Sequence, residues 1–282
     1  MLGILFSIAA AITNGLELVT HRYVMVRKAD GLAYAFLWMG LASLVFLPFF
    51  VAEPGLEQEL QVWAVVLASA VIWTVLTLFY FKAVSLLEVS TNIPVSKIRL
   101  LFVLFLSVMF FGESITTEKI AGTLLIFIGA VLATWKMEKT KSDPKGVPIA
   151  IITAFLISIA FLLDKYLVQF FTPGTLAFIL FFLPSAFLFP FVLGKKKEMG
   201  SVLRKNLKPL LAAVVLASLT YFFVLNAFQT TEASIVLPLL ELSILVSLFG
   251  AVVLLKERQN LKLRVAAIVI VLVGSILIGM SV

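Results

Sequence analysis

The stretch from Ile93 to Glu113, IPVSKIRLLFVLFLSVMFFGE, places a proline, a lysine and an arginine inside an apolar run long enough to cross a lipid bilayer. It is written twice. Advancing every number by 144 reaches Leu237 to Glu257, LPLLELSILVSLFGAVVLLKE, in which Pro94 falls on Pro238, Glu113 on Glu257, and Lys97 on an acid, Glu241. The echo extends in both directions. At the same offset Ala83 falls on Ala227, Glu88 on Glu232 and Ser90 on Ser234, and with one further residue Gly129 falls on Gly274. Upstream, at an offset of 143, Gly31-Leu32 meets Gly174-Thr175 and Arg22-Tyr23 meets Lys165-Tyr166.

Hydrophobic residues make up 62% of the 282 positions and the mean hydropathy is +1.16. A soluble domain carries roughly 45–50%, so lipid is the solvent for most of this chain. The formal charge of +7 comes from basic residues in short connectors between apolar runs, where cytoplasmic-loop bias accounts for them and no nucleic-acid partner is expected. The absence of cysteine excludes disulfides, thiolate metal sites and cysteine nucleophiles together. The start, MLGILFSIAAAITNG, lacks a basic leader region and reads as the first span, not a cleaved signal.

Dividing the chain at its polar breaks gives ten apolar stretches, at about 2–20, 31–52, 61–81, 90–111, 120–136, 147–168, 174–193, 209–228, 232–255 and 265–281. The longest connector, Gly194 to Lys208, reads as a basic surface loop. Each copy of the repeat, 1–141 and 146–282, therefore holds five spans, an odd number, and the two copies must cross the membrane in opposite senses. The expected fold is an all-α polytopic membrane protein, with ten transmembrane helices as two inverted five-helix repeats. Such halves can exchange which side they close, the architecture of alternating access. The connectors after spans one, five, seven and nine hold seventeen lysines and arginines, whereas the opposite ones hold Lys119, Lys165 and the acids Glu53, Glu57 and Glu59. The positive-inside rule makes the basic side cytoplasmic and places both termini outside a cell membrane.

With spans and repeat in hand, the sequence resembles the drug/metabolite transporter superfamily in its ten-helix EamA-type branch. The matching pieces are Asn14-Gly15, an aromatic-rich third span ending at Ala83, the spacing from Pro94 to Gly112-Glu113, and the run from Gly122 to Gly129. They recur as Ala227, Pro238, Glu257 and Gly274. The resemblance covers essentially the whole chain. It implies a secondary transporter with a central cavity between the halves, lined mainly by the first four spans of each repeat, and often an exporter of amino acids or related metabolites. Three features depart from the family pattern. An arginine early in span two is absent, Lys256 replaces the glycine before the second acidic motif, and the family's termini are expected in the cytoplasm.

Ionisable groups inside spans are costly, by about 2.5–3.5 kcal/mol each on insertion scales, and so are candidates for function. The cations are Lys82, Lys97 and Arg99; the acids are Glu17, Asp164 and Glu241. Lys97 and Glu241 lie about 10 Å into their spans at 1.5 Å per residue, on opposite halves. They form either a charge pair that a zwitterionic or anionic substrate opens, or a permanent ion pair holding the halves together. Arg99 stands about 200° around a helix from Lys97 and is expected to face elsewhere, a substrate ligand only if it reaches the cavity. Asn14 and Glu17 share a face of span one. Glu17, with Glu241, is a candidate for proton coupling, or else an interfacial carboxylate paired to Arg22 or His21. Asp164 beside Lys165 reads as an interfacial anchor pair. Pro94 and Pro238 suit hinges, and Glu113 and Glu257 suit capping at span ends. Tyr80 and Tyr221 are weaker candidates for stacking on substrate, beside Trp73.

These residues favour a carrier of a small polar metabolite, foremost an amino acid or similar carboxylate, moved by alternating access and driven by protons. A carrier of sugar phosphates or nucleotide sugars, using Lys97 and Arg99 for phosphate, is the rival within the same fold. No cofactor or metal is expected. The partners are the substrate, the bilayer and, as an option, a second copy in a homodimer. An intramembrane enzyme finds no HExxH or GxSxG motif, no cysteine, and one histidine at a span edge. A purely structural subunit would not need polar groups at cavity depth.

Overall fold

The computed structural model describes residues 1–27, 29–56, 58–87, 92, 95–134, 143, 145–254 and 261–281. The expected hinge Pro94, the motif acid Glu257 and Glu88 lie outside them. Its helices are α1 (Leu2–Val26), α2 (Gly31–Ala52), α3 (Leu60–Leu86), α4 (Arg99–Phe111), α5 (Thr117–Thr134) and α6 (Gly146–Leu167). The second half continues with α7 (Pro173–Val192), α8 (Lys196–Thr230), α9 (Ala233–Leu240), α10 (Ser243–Leu254) and α11 (Leu261–Met280). Lipid offers backbone groups no hydrogen bonds, so uninterrupted apolar runs satisfy them internally as helix. Six helices, α1, α2, α3, α6, α7 and α8, are each long and apolar enough to cross a membrane. The shorter α4, α5, the α9–α10 pair and α11 complete a polytopic all-α protein of ten spans.

The four largest helix interfaces are α1 on α8, α11 on α5, α2 on α7 and α3 on α6. Exchanging the repeats swaps α1·α8 with α3·α6 and maps the other two onto themselves, as a two-fold axis between the halves requires. The α5·α11 interface shows the inversion residue by residue. A methyl group added at Gly122 would lie 2.7 Å from the Gly274 carbonyl oxygen, and one at Gly129 would lie 3.0 Å from that of Ala267. Ascending numbers on one helix meet descending numbers on the other, so equivalent helices run antiparallel. Glycine permits the backbone contact, the usual device for bringing helices together in lipid.

Spans four and nine are both broken, at equivalent positions. Residues 97–98 and 241–242 form turns, between helical residues 95–96 and α4, and between α9 and α10. Across each break the amides turn to carbonyls three residues back: Ile98 to Val95 at 3.1 Å and Leu100 to Lys97 at 3.0 Å, Glu241 to Pro238 at 3.0 Å and Ile244 to Glu241 at 2.9 Å. Pro238 sits three residues before its break and offers no amide of its own. Ser158 of α6 donates to the Arg99 carbonyl at 3.1 Å.

One expectation changes here. The connector Gly194 to Lys208 is largely helical, because Val202, Asn206 and Leu210 form a buried stripe at four-residue spacing that continues into the span. Asn206, at φ −130°, kinks α8 just before Pro209. Helix α1 likewise runs past residue 20 to Val26, carrying His21 inside it.

Candidate functional site

The two helix breaks face each other. Lys97 Nζ lies 2.6 Å from Glu241 Oε2, and Arg99 reaches the other oxygen, Oε1, with Nη2 at 2.6 Å and Nε at 3.2 Å. Glu241 is almost completely buried. This corrects the expectation that Lys97 and Arg99 diverge. A continuous helix would separate them by about 200°, but the turn at 97–98 abolishes that phase and sends both cations to one carboxylate. Because 97 and 241 are the same position of the repeat, the triad lies where the two-fold axis passes.

Beside the triad is a cavity of about 190 Å³. Its polar wall is Asn14 and Glu17 from α1, Arg99 from α4 and Thr220 and Tyr221 from α8. Its apolar wall includes Trp38, Trp73, Phe161 and Phe181. These rings hold one another edge-on: Trp73 against Phe161 at 5.4 Å, Phe181 against Tyr221 at 5.2 Å, and Trp38 against Phe181 at 5.9 Å. The lining comes from spans one to four and six to nine. Glu17 is mostly buried, and its Oε1 lies 3.0 Å from His21 Nε2, while His21 Nδ1 lies 2.7 Å from the Tyr34 hydroxyl. The cavity residue and the histidine partner are thus the same Glu17.

Tyr80 does not line this cavity. Its half-exposed ring packs edge-on against Phe81 toward the end of α3, so its expected role in binding is not supported. Lys97 contributes only through Glu241, whereas Tyr221 and Asn14 stand in the wall.

Asp164 overturns the interfacial expectation. It is fully buried and accepts from the Tyr221 hydroxyl at 2.7 Å, the Ser69 hydroxyl at 2.9 Å and the Trp73 indole at 3.2 Å. Its neighbour Lys165 points away, donating to the Thr231 carbonyl at 2.8 Å and lying 3.8 Å from Glu113. Adjacency in sequence suggested a pair, but successive helical residues diverge by about 100°. The offset of 143 places Asp164 at the position of His21, a signal that an ionisable group recurs at this depth.

A second polar network ties one end of the bundle. Gly112 ends α4 in the left-handed region at φ 62° and turns Glu113 toward α9. Both Glu113 oxygens cap that helix, accepting from the Ala233 amide at 2.7 Å and the Ser234 amide at 2.9 Å. Fully buried Lys119 pairs with Glu232 and donates to the Ser114 carbonyl at 2.9 Å. The Gly-Glu motif is thereby explained: glycine permits the turn, and the acid satisfies a helix start that lipid would leave bare.

The family model described as the EamA-like transporter family matches residues 1–135 and again residues 144–280. The chain belongs to the EamA-like transporter family. Among its relatives, an "Uncharacterized transporter" of Archaeoglobus fulgidus is 25% identical over 275 residues, covering 96% of both chains. A "Putative sugar uptake protein" of Listeria monocytogenes is 24% identical over 86% of this chain and 87% of its own length. A protein of the same description in Listeria innocua is 23% identical, with the same coverage. A solved crystal structure shares the fold, with a TM-score of 0.77 at 15% identity over 99% of this chain and 96% of its own. The EamA-like chain described here is thus a multi-pass membrane protein of a transporter family.

Proposed function

We propose that the chain exports a zwitterionic metabolite, an amino acid or close analogue, by proton-coupled alternating access, with the aromatic-walled cavity as its binding site. The observation that carries this reading is the charge layout: an acid, Glu17, and a cation, Arg99, share the lining of one small cavity. A substrate carboxylate displaces Glu241 from the forked guanidinium of Arg99, which is shaped for such a group. Its ammonium is received by Glu17 and Asn14, and its side chain by the rings. Opening the triad on the two-fold axis gives the liganded and free states different partners across the halves, the condition for a ligand to shift a conformational equilibrium. In this scheme the network of Glu113, Lys119, Lys165 and Glu232 serves as the gate at one end. Glu17 carries the proton in this scheme, since Glu241 faces two cations.

A second reading has a specific basis. Both Listeria relatives are described as putative sugar uptake proteins, and aromatic rings with an amide are a suitable wall for a sugar. Counterflow of labelled solutes into proteoliposomes decides between them. Exchange of amino acids that is lost in Arg99→Gln supports the first, and exchange of sugars alone replaces it with the second. An imposed pH gradient should drive accumulation; intact exchange that ignores the gradient removes the proton from the scheme.

A further inference from the structure

Asp164 is a buried carboxylate to which the scheme above gives no task. Its three hydrogen-bond donors, Ser69, Trp73 and Tyr221, are all neutral. A carboxylate withdrawn from water is ordinarily held beside a cation, and ionisable groups inside a span mark ion or proton pathways by default. The helices packed against α6 are α3, α4, α8 and α9. Helix α3 presents Ser69 and Trp73, with Tyr80 and Lys82 further along it, and α8 presents Tyr221, with its basic cluster at the far end. The cation of α4, Arg99, is committed to Glu241, and α9 carries no ionisable residue. Lys165, in α6's last turn, points away from Asp164 to Glu113 and the Thr231 carbonyl.

Two of the three donors, Trp73 and Tyr221, are also cavity wall. We propose that Asp164 is a proton-binding site that positions Tyr221 and Trp73, so that a proton taken up behind the wall changes the binding site in front of it. As the carboxylate, Asp164 accepts every bond and holds the Tyr221 hydroxyl and the Trp73 indole away from the cavity. When a proton adds to Oδ2, that oxygen donates to the Tyr221 hydroxyl oxygen in place of accepting from it, and the Tyr221 O–H is released to turn to the solute. Losing the proton reverses the change. The cluster also joins the halves, because Ser69 and Trp73 belong to one repeat and Asp164 and Tyr221 to the other. A proton on Oδ2 also takes from the Trp73 indole the nearer of its two acceptors, at 3.2 Å against 3.4 Å for Oδ1, and so loosens a contact across the surface that alternating access must move. The effect on transport rests on the cavity being the substrate site; the proton site itself does not.

The test needs no substrate. In Trp38→Phe/Trp63→Phe/Trp135→Phe the remaining indole is Trp73, whose N–H bond to Asp164 makes its emission a reporter. In the purified protein, emission scanned over about pH 4 to 9 is expected to show one single-proton step. Adding Asp164→Asn abolishes the step, and adding Glu17→Gln leaves it. A step that survives Asp164→Asn, that disappears with Glu17→Gln, or that is absent from the parent overturns the proposal. Should Asp164→Asn fail to fold, Tyr221→Phe removes one donor and displaces the midpoint by about one pH unit; an unmoved midpoint overturns it equally. A step lost in Asp164→Asn in a protein that exchanges neither amino acids nor sugars keeps the proton site and rejects the proposed function. In a protein that does exchange solute, Asp164→Asn is expected to flatten the pH profile of counterflow while exchange persists.

Discussion

Replacing Glu241 with Gln leaves the partly buried Lys97 and Arg99 side by side with no anion. Glu241 is 1% exposed and serves both cations, one on each oxygen, at 2.6 Å. Removing one partner of a buried ion pair costs about 3–5 kcal/mol, because the remaining charge is stranded away from water. For a chain of this length each kcal/mol corresponds to about 2–4 °C, so the melting midpoint should fall by about 10 °C. Lys97→Met is milder, since Arg99 still occupies Oε1 and no charge is orphaned; less than half that fall is expected. The triple variant Lys97→Met/Arg99→Met/Glu241→Met buries no charge at all. It should melt within a few degrees of the parent, about as buried ion pairs replaced by apolar groups do, yet transport nothing. Midpoints are measured on detergent-purified protein by fluorescence-detected size exclusion, with counterflow in parallel. Equal losses for Lys97→Met and Glu241→Gln, or a triple variant that transports like the parent, would refute a triad that ligands open.

Three further outcomes are expected. Gly122→Val must push α5 from α11, because even a methyl there meets the Gly274 carbonyl at 2.7 Å, and overpacking of this kind costs about 1–3 kcal/mol, read as a lowered midpoint. Glu113→Ala removes the cap of α9 and the anion facing Lys165, at about 1–2 kcal/mol for the cap alone. The chain contains no cysteine, so a single Thr231→Cys reporter can be labelled with an impermeant thiol reagent, and Glu113→Ala should raise its rate; an unchanged rate means the network closes nothing. At the connector between α1 and α2, burial pushes the Asp30 carboxyl up, but the Lys195 ammonium and the Ala33 amide outweigh it and hold it below its usual value. The bonus is present above about pH 4, the unfolded value, and fades as pH falls through the folded one. It stays below about 1 kcal/mol for a pair this exposed, and Asp30→Asn should lose it at neutral pH while melting like the parent at low pH.

The repeat offset carries the architecture by itself, because lipid forces regular helix and an odd number of spans forces inversion. The pairing of Lys97 with Glu241 was legible for the same reason: equivalent positions near a two-fold axis must meet. Arg99 was misplaced since a one-dimensional phase assumes an unbroken helix, and nothing short of the local hydrogen bonds reveals three-residue turns at 97–98. Asp164 was hidden by its neighbour, as its donors lie about 60 and 90 residues away on α8 and α3. Tyr80 was chosen for its chemistry alone, and chemistry does not say which face of α3 looks inward.

The pair on the axis carries a historical consequence. Two unlinked copies of one five-helix segment, related by strict symmetry, would set lysine against lysine or glutamate against glutamate at this position. Opposite charges can face each other there only when the two halves are encoded separately, so the salt link of Lys97 with Glu241 could arise only after duplication let the copies drift apart. The chain behaves as an obligate heterodimer joined by a peptide bond, and neither half could be rebuilt from two copies of the other without bringing like charges together at its centre.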